Sequence, residues 1–371
     1  MQGIREEGFI HARQAAILMW FNVLPTAIIF LPSFLARRAQ QDAWLAVIVA
    51  VLLTLPLGFI LIWLGTRFPH LTLFQYSEII LGKVAGKAIS IFYVLALIQL
   101  NALVLREFSE FLVSAVMPET PLLVFTVTLA AVAVYGARNG VEVISRSAEF
   151  VMPLMVVFIL TILSLVTPEM SWRNLFPMLE RGVKPVLAGA IVVLGFTGEI
   201  SLLAGISGFL NPPQGVRMSV MVGLAGVFLF LLLVVLSSIL VFGSAETGRL
   251  TFAVFSLARM ISIANFLERI EVLFMAIWVA GIFIKVTLSL YIAALGLATV
   301  TELADFRPLC APLAAFMVTL SILLFKNISH LLIYLEEIIP IWGFLWEFGI
   351  PTFLALVAVI RKVKGKESNV P

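Results

Sequence analysis

The chain has 371 residues, 62% of them hydrophobic and 12% charged, with a net charge of +3. Soluble domains carry about 25% charged residues, so the composition excludes an ordinary soluble fold and points to a polytopic membrane protein. Cys310 is the single cysteine, which leaves no intramolecular disulfide and no cysteine-based metal cluster.

The first apolar run, residues 15–35, is too long for a signal-peptide core and has no small-residue cleavage site after it. It reads as a mature helix, interrupted by Asn22-Val23-Leu24-Pro25-Thr26. Further spans fall at 44–66, 85–117, 122–135 and 143–166, before a polar, amphipathic connector at 167–184. The second half reads as 185–210, 218–242, 270–300, 309–325 and 331–360. Runs near 20 residues cross about 30 Å of hydrocarbon, and the three longest should tilt or project. The remaining long loop, 243–269, carries apolar patches that predict a short helix at the interface.

The sixth span contains Leu194-Gly195-Phe196-Thr197-Gly198-Glu199-Ile200-Ser201, two glycines and a carboxylate inside an apolar run. Irregular backbone survives at membrane depth only where it is packed in protein or lines a cavity. A carboxylate there costs about 2.5–3.5 kcal/mol on the insertion scale. Interrupted spans at positions one and six point to a transporter-type site at the bilayer midplane.

Lysine and arginine set the orientation. With the N-terminus inside, the inner loops carry Arg5, Arg13, Arg67, Lys83, Lys87, Arg138, Arg146, Arg217 and Arg307, with Arg361, Lys362, Lys364 and Lys366 in the tail. Ten spans then put both termini in the cytoplasm. The expected architecture is all-α: one transmembrane domain over 1–371, with repeats at about 10–166 and 185–361. Five spans per repeat is an odd number, so the halves insert with opposite topology, the LeuT-like 5+5 inverted repeat with broken helices one and six.

Several stretches carry a family resemblance. They are Ile10-His11-Ala12-Arg13-Gln14, Pro32-Ser33-Phe34-Leu35-Ala36, Gln41-Asp42-Ala43-Trp44, Arg67-Phe68-Pro69, Thr72-Leu73 and Ile80-Leu81-Gly82-Lys83. Arg146, Glu149 and Pro153 follow, then Asn174-Leu175-Phe176-Pro177, Glu268-Arg269 and Trp278. In order and spacing, from about residue 10 to 360, the chain resembles the spore germination permease family, the GerAB/GerKB-type B subunits of germinant receptors in endospore-forming bacteria. The resemblance implies the amino acid–polyamine–organocation superfamily fold. It also implies germinant sensing in the spore inner membrane beside an A subunit and a lipoprotein C subunit. Members often carry Gly before Ser or Thr at the first break, where this chain has Pro25-Thr26. Proline lacks the N–H that could have held a ligand carboxylate.

That fold implies a small-molecule ligand between helices one, three, six and eight. Half-helix N-termini at Pro25, Thr26 and Ala27, and at Phe196, Thr197 and Gly198, would offer N–H groups to an anionic group. Alternatively, the glycines only allow close helix packing. Glu199 reads as a ligand-ammonium partner, a proton-coupling group or a structural carboxylate, and Lys285 is the matching cation in helix eight. Gln99 and Asn101 in helix three suit interhelical hydrogen bonds, and Thr287 with Tyr291 share a face of helix eight. Arg106 with Glu110, and Arg146 with Glu149, are spaced for ion pairs within one helix. Glu336 and Glu337 are expected near the outer surface, and Glu347 deeper, without a nameable partner.

The reading is therefore a germinant-sensing subunit that binds a small nutrient such as an amino acid. The alternatives are a proton-coupled amino acid or amine permease and an ion-conducting receptor component. No cofactor or metal is expected, and nothing suggests an enzyme: there is no metal-ligand spacing, nucleophile elbow or phosphate loop.

Overall fold

The computed structural model describes residues 8–261 and 270–365. Glu268-Arg269, Arg5 and Lys366 lie outside those residues. The described residues are mostly helical, one of the two arrangements that satisfy every backbone group in lipid. Among the described residues, the only strand-like pairing is one bridge between Ile10 and Leu210.

α1 (Ala12–Ala39) and α2 (Ala43–Arg67) are joined by one turn, in which the Asp42 carboxylate accepts from the Leu179 N–H of the central connector. Short α3 (Leu73–Leu81) starts from a Thr72–Gln75 capping box. α4 (Lys83–Ala115), α5 (Leu122–Arg138) and α6 (Gly140–Val166) complete the first half. The next span is α7 (Lys184–Thr197), a 3₁₀ turn at Gly198–Leu202 and α8 (Leu203–Ile206). α9 (Gly215–Arg249) kinks at Gly243, whose φ of 73° suits glycine. The short helix expected in the 243–269 loop is α10 (Ala253–Met260). α11 (Ile270–Thr301) and α12 (Arg307–Leu323) follow. The last span is α13 (Ile328–Ile333), α14 (Ile339–Gly343) and α15 (Gly349–Ile360), separated by π turns at Tyr334–Ile338 and Phe344–Phe348.

Each expected apolar run lies on a helix of this order. Among the described residues, seven stretches are long and apolar enough to cross a membrane; the first, Ala12–Arg67, holds both α1 and α2, while α5 and α12 are shorter apolar helices. The break in the sixth span falls at Gly198, as the sequence predicts. The first span differs. α1 runs unbroken through Pro25 and Pro32, so its interruption is a missing N–H rather than an unwound segment. Neighbouring helices enclose it, which is the setting in which proline is tolerated in a membrane helix.

α1 is the axis of the molecule. From Gln14 to Ala36 every residue except Trp20 is buried. α9 lies against it at small residues. A Cβ at Gly226 would overlap the Trp20 indole, and Trp20 Nε1 donates to the Gly223 carbonyl at 3.0 Å.

Clasps close both ends. At the end bearing the termini (the near end), Ile10 N donates to Phe209 O at 2.9 Å and Asn211 N donates to Ile10 O at 3.0 Å. There Glu149 takes Arg13 at 3.0 Å and Gln14 at 2.9 Å, and Arg146 pairs instead with Glu142. This corrects the expected Arg146–Glu149 pair: Glu149 faces the start of α1, while exposed Arg146 takes its neighbour one turn back. Lys83 and Lys87 flank Glu302 at 2.7 and 2.8 Å. Their hydrogen bonds and charges lower the Glu302 pKa from an ordinary 4.5 to about 2. At the far end, Arg37 and Arg38 meet Glu336 at 2.7 and 2.9 Å, and Arg38 also pairs with Glu337.

Candidate functional site

The break in the sixth span brings Glu199 to α1 and α11. Lys285 Nζ donates to Glu199 Oε2 at 2.6 Å and to Thr26 Oγ1 at 2.7 Å. Asn22 Nδ2 donates to the Glu199 carbonyl at 2.9 Å. Lys285 is 0% exposed and Glu199 3%. A buried ion pair tolerates its desolvation only when hydrogen bonds complete it, and Thr26 and Asn22 do that here. Pro25 sits one residue from Thr26, and its carbonyl accepts from Trp278 Nε1 at 2.7 Å. Trp278 thus ties α1 to α11 at the level of the pair.

Two more carboxylates complete the centre. Glu107 of α4 is buried within electrostatic reach of Lys285 and Glu199. Glu347 lies in the second π turn, within reach of the same two groups. It stands against Gly198, where an added Cβ would overlap Glu347 Oε2 and come to 2.6 Å from Phe348 Cε2. Glu107 Oε2, Glu347 Oε2 and Asn22 Oδ1 are all buried and accept no hydrogen bond. One ammonium therefore faces three carboxylates, with acceptors to spare. Chemically, such a centre can hold a further cationic or proton-donating group, or release Lys285 to an anion if Glu199 turns away.

The structure gathers Pro25, Thr26, Glu199 and Lys285, with Gly198 beside them against Glu347, and sets the other expected site residues in packing or hydrogen-bonded contacts between helices. Gly198 packs on Glu347. Its N–H donates to Leu194 O, so the anion-binding half-helix end expected at Phe196, Thr197 and Gly198 is not offered. The reason is the turn itself, which tightens without releasing its donors. Thr197 Oγ1 is shared with Thr54 Oγ1 of α2 at 2.8 Å, and Phe196 is buried in the core. Gln99 donates to the Tyr334 hydroxyl at 2.6 Å, bridging α4 and the last span. Thr287 faces Gly136 of α5, and Tyr291 packs between Phe209 and Phe306. Asn101 bridges α4 to Val286 O at 3.1 Å, and Arg106 pairs with Glu110 at 2.6 Å, both as expected. Glu336 and Glu337 are taken by Arg37 and Arg38.

Sequence reasoning missed Glu107 and Asn22 as members of the centre. The signal for Glu107 was helical phase: next to Arg106 it points about 100° away, so it cannot share the Arg106–Glu110 face.

Three relatives from Bacillus subtilis (strain 168) match almost end to end. Spore germination protein KB is 28% identical over 369 residues, 98% of this chain and 98% of that one. Spore germination protein YndE is 26% identical, over 90% and 94% of the two chains. The putative spore germination protein YfkT is 25% identical, over 95% and 97%. Among solved structures, the backbone is similar to a Na+-coupled sialic acid symporter in a substrate-bound, outward-open state. Its TM-score is 0.69 at 11% identity, covering 96% of this chain and 82% of that one. It is also similar to MhsT in complex with L-phenylalanine, with a TM-score of 0.66 at 12% identity, covering 96% and 98%. Both have the LeuT fold, and this integral membrane chain shares it. Residues 9–329 match the family model Spore_permease, described as spore germination protein, and the chain belongs to that family.

Proposed function

We propose that this chain is the germinant-sensing membrane subunit of a spore germination receptor. In this reading it spans the spore inner membrane ten times, with both termini cytoplasmic and its two repeats inverted. It works beside an A subunit and a lipoprotein C subunit. A small nutrient, such as an amino acid, enters from the far end and binds between α1, α4, the broken sixth span and α11. The observation that carries the reading is the sealed Lys285–Glu199–Thr26 link across α1, the break and α11. An amino-acid ligand has one group for each sign: a carboxylate for Lys285 and an ammonium for the unpartnered acceptors of Glu107, Glu347 and Asn22. Such a ligand stabilises one arrangement of the break over another, and only that difference in affinity can pass a signal to partner subunits.

The test is genetic. Deleting the gene in its spore-forming source should abolish germination with one germinant class, and the intact gene should restore it. A Glu199→Gln gene producing normally assembled protein should not. Full restoration by that variant would refute the site.

The second reading, a proton-coupled amino acid or amine permease, is favoured by Glu107 Oε2 and Glu347 Oε2, which lack hydrogen-bond partners beside the ion pair. It requires substrate counterflow in proteoliposomes, which a pure sensor does not show.

A further inference from the structure

A cavity of about 540 Å³ opens at the near end of the bundle, away from the central ion pair. Three separate pieces of chain build it: the last turn of α2 (Trp63, Thr66, Arg67), Gln214 just before α9, and Lys364 after α15. Its size falls in the range of small-ligand sites, roughly 300–1,000 Å³. Arg67 and Lys364 are its charged lining groups, and no carboxylate lines it among the described residues. Neither cation forms an ion pair among the described residues.

The Arg67 head is held in place before any ligand arrives. Its Nε donates to Val363 O at 2.7 Å, and its guanidinium lies 4.8 Å from the centre of the Trp63 ring. This leaves the outer guanidinium nitrogens free for a fork on one anionic group, and a fixed guanidinium loses little entropy when it binds. Gln214 adds an amide and Trp63 an indole, the side chain that settles at membrane–water interfaces.

We propose that this cavity binds a phosphate group, presented by an anionic lipid headgroup or by a small soluble phosphate. Arg67 and Lys364 neutralise the charge, and Gln214 supplies a neutral donor. Gln214 follows Asn211, whose N–H holds Ile10 at the start of α1. A phosphate bridging α2, this linker and the tail therefore braces the near-end clasp.

The test uses the full-length protein in neutral detergent. Native mass spectrometry compares phosphatidylglycerol with diacylglycerol of the same chains, and thermal melting is followed with added glycerol phosphate. Phosphatidylglycerol is expected to bind at least tenfold better than diacylglycerol. Lys364→Gln should reduce that preference severalfold, and Arg67→Gln should do the same where the variant still folds. Lipid preference without a glycerol phosphate effect assigns a headgroup. A melting shift with glycerol phosphate that Lys364→Gln removes assigns a soluble phosphate. Equal binding of both lipids with no melting shift overturns the proposal, as does a preference or shift that Lys364→Gln leaves unchanged.

Discussion

Lys285 neutralises a carboxylate that has no other cation within bonding distance, and this makes a single-residue experiment sharp. Lys285→Met keeps the volume but strands Glu199 in the core, and breaking a buried pair from one side costs about 3–5 kcal/mol. Glu199→Gln removes the complementary charge. The double variant should recover much of the loss, because neither charge is then left alone. A thermal double-mutant cycle in detergent reads this as a coupling energy of at least about 1 kcal/mol, and strictly additive effects would refute the pairing. This pair was legible from sequence because opposite charges in two apolar runs must find each other. Glu347 was not, since its direction is set by a π turn, which shifts helical phase and leaves no mark in hydrophobic periodicity.

At the scale of helices, close approach decides the architecture. Gly226→Leu would drive a side chain into the Trp20 indole and force α9 off α1. Overpacking of this kind costs about 1–3 kcal/mol. The expected outcome is a lower melting temperature and a smaller monodisperse fraction. The near-end triad behaves differently, because Glu302 is exposed and its contribution is small. Its folded pKa is depressed to about 2, so the stabilisation is complete above about 4.5 and fades as pH falls through about 2. The melting difference between the native chain and Glu302→Gln should therefore be constant at neutral pH and vanish near pH 2; a difference that persists there would assign the effect to packing. Element positions were readable from apolar runs alone. The state of the first break was not, because whether proline unwinds a helix depends on the neighbours that enclose it. Thr287 and Tyr291 show the same limit: their spacing fixed a shared side of α11, while the helices facing it came only with the tertiary fold.

For the molecule as a whole, the central charges are buried and clasps join the elements at both ends. The far-end clasp joins α1 to the last span through Arg37, Arg38, Glu336 and Glu337. Replacing Arg37 and Arg38 with alanine should loosen that end. In a Cys310→Ser background carrying Thr26→Cys, a water-soluble thiol reagent should then label the new cysteine several times faster. Equal labelling with the clasp intact would mean that it does not guard the site.

The enclosure of α1 also bears on how the chain is made. α1 is one of the most enclosed helices, yet it is made before the partners that surround it: α9 starts about 200 residues further along the chain and α11 about 260. Asn22, Thr26 and two prolines must wait in lipid or beside the insertion machinery until α9 and α11 have been made. Nascent chains stopped before Gly215 should be cleared by membrane proteases, and chains stopped after Thr301 should persist.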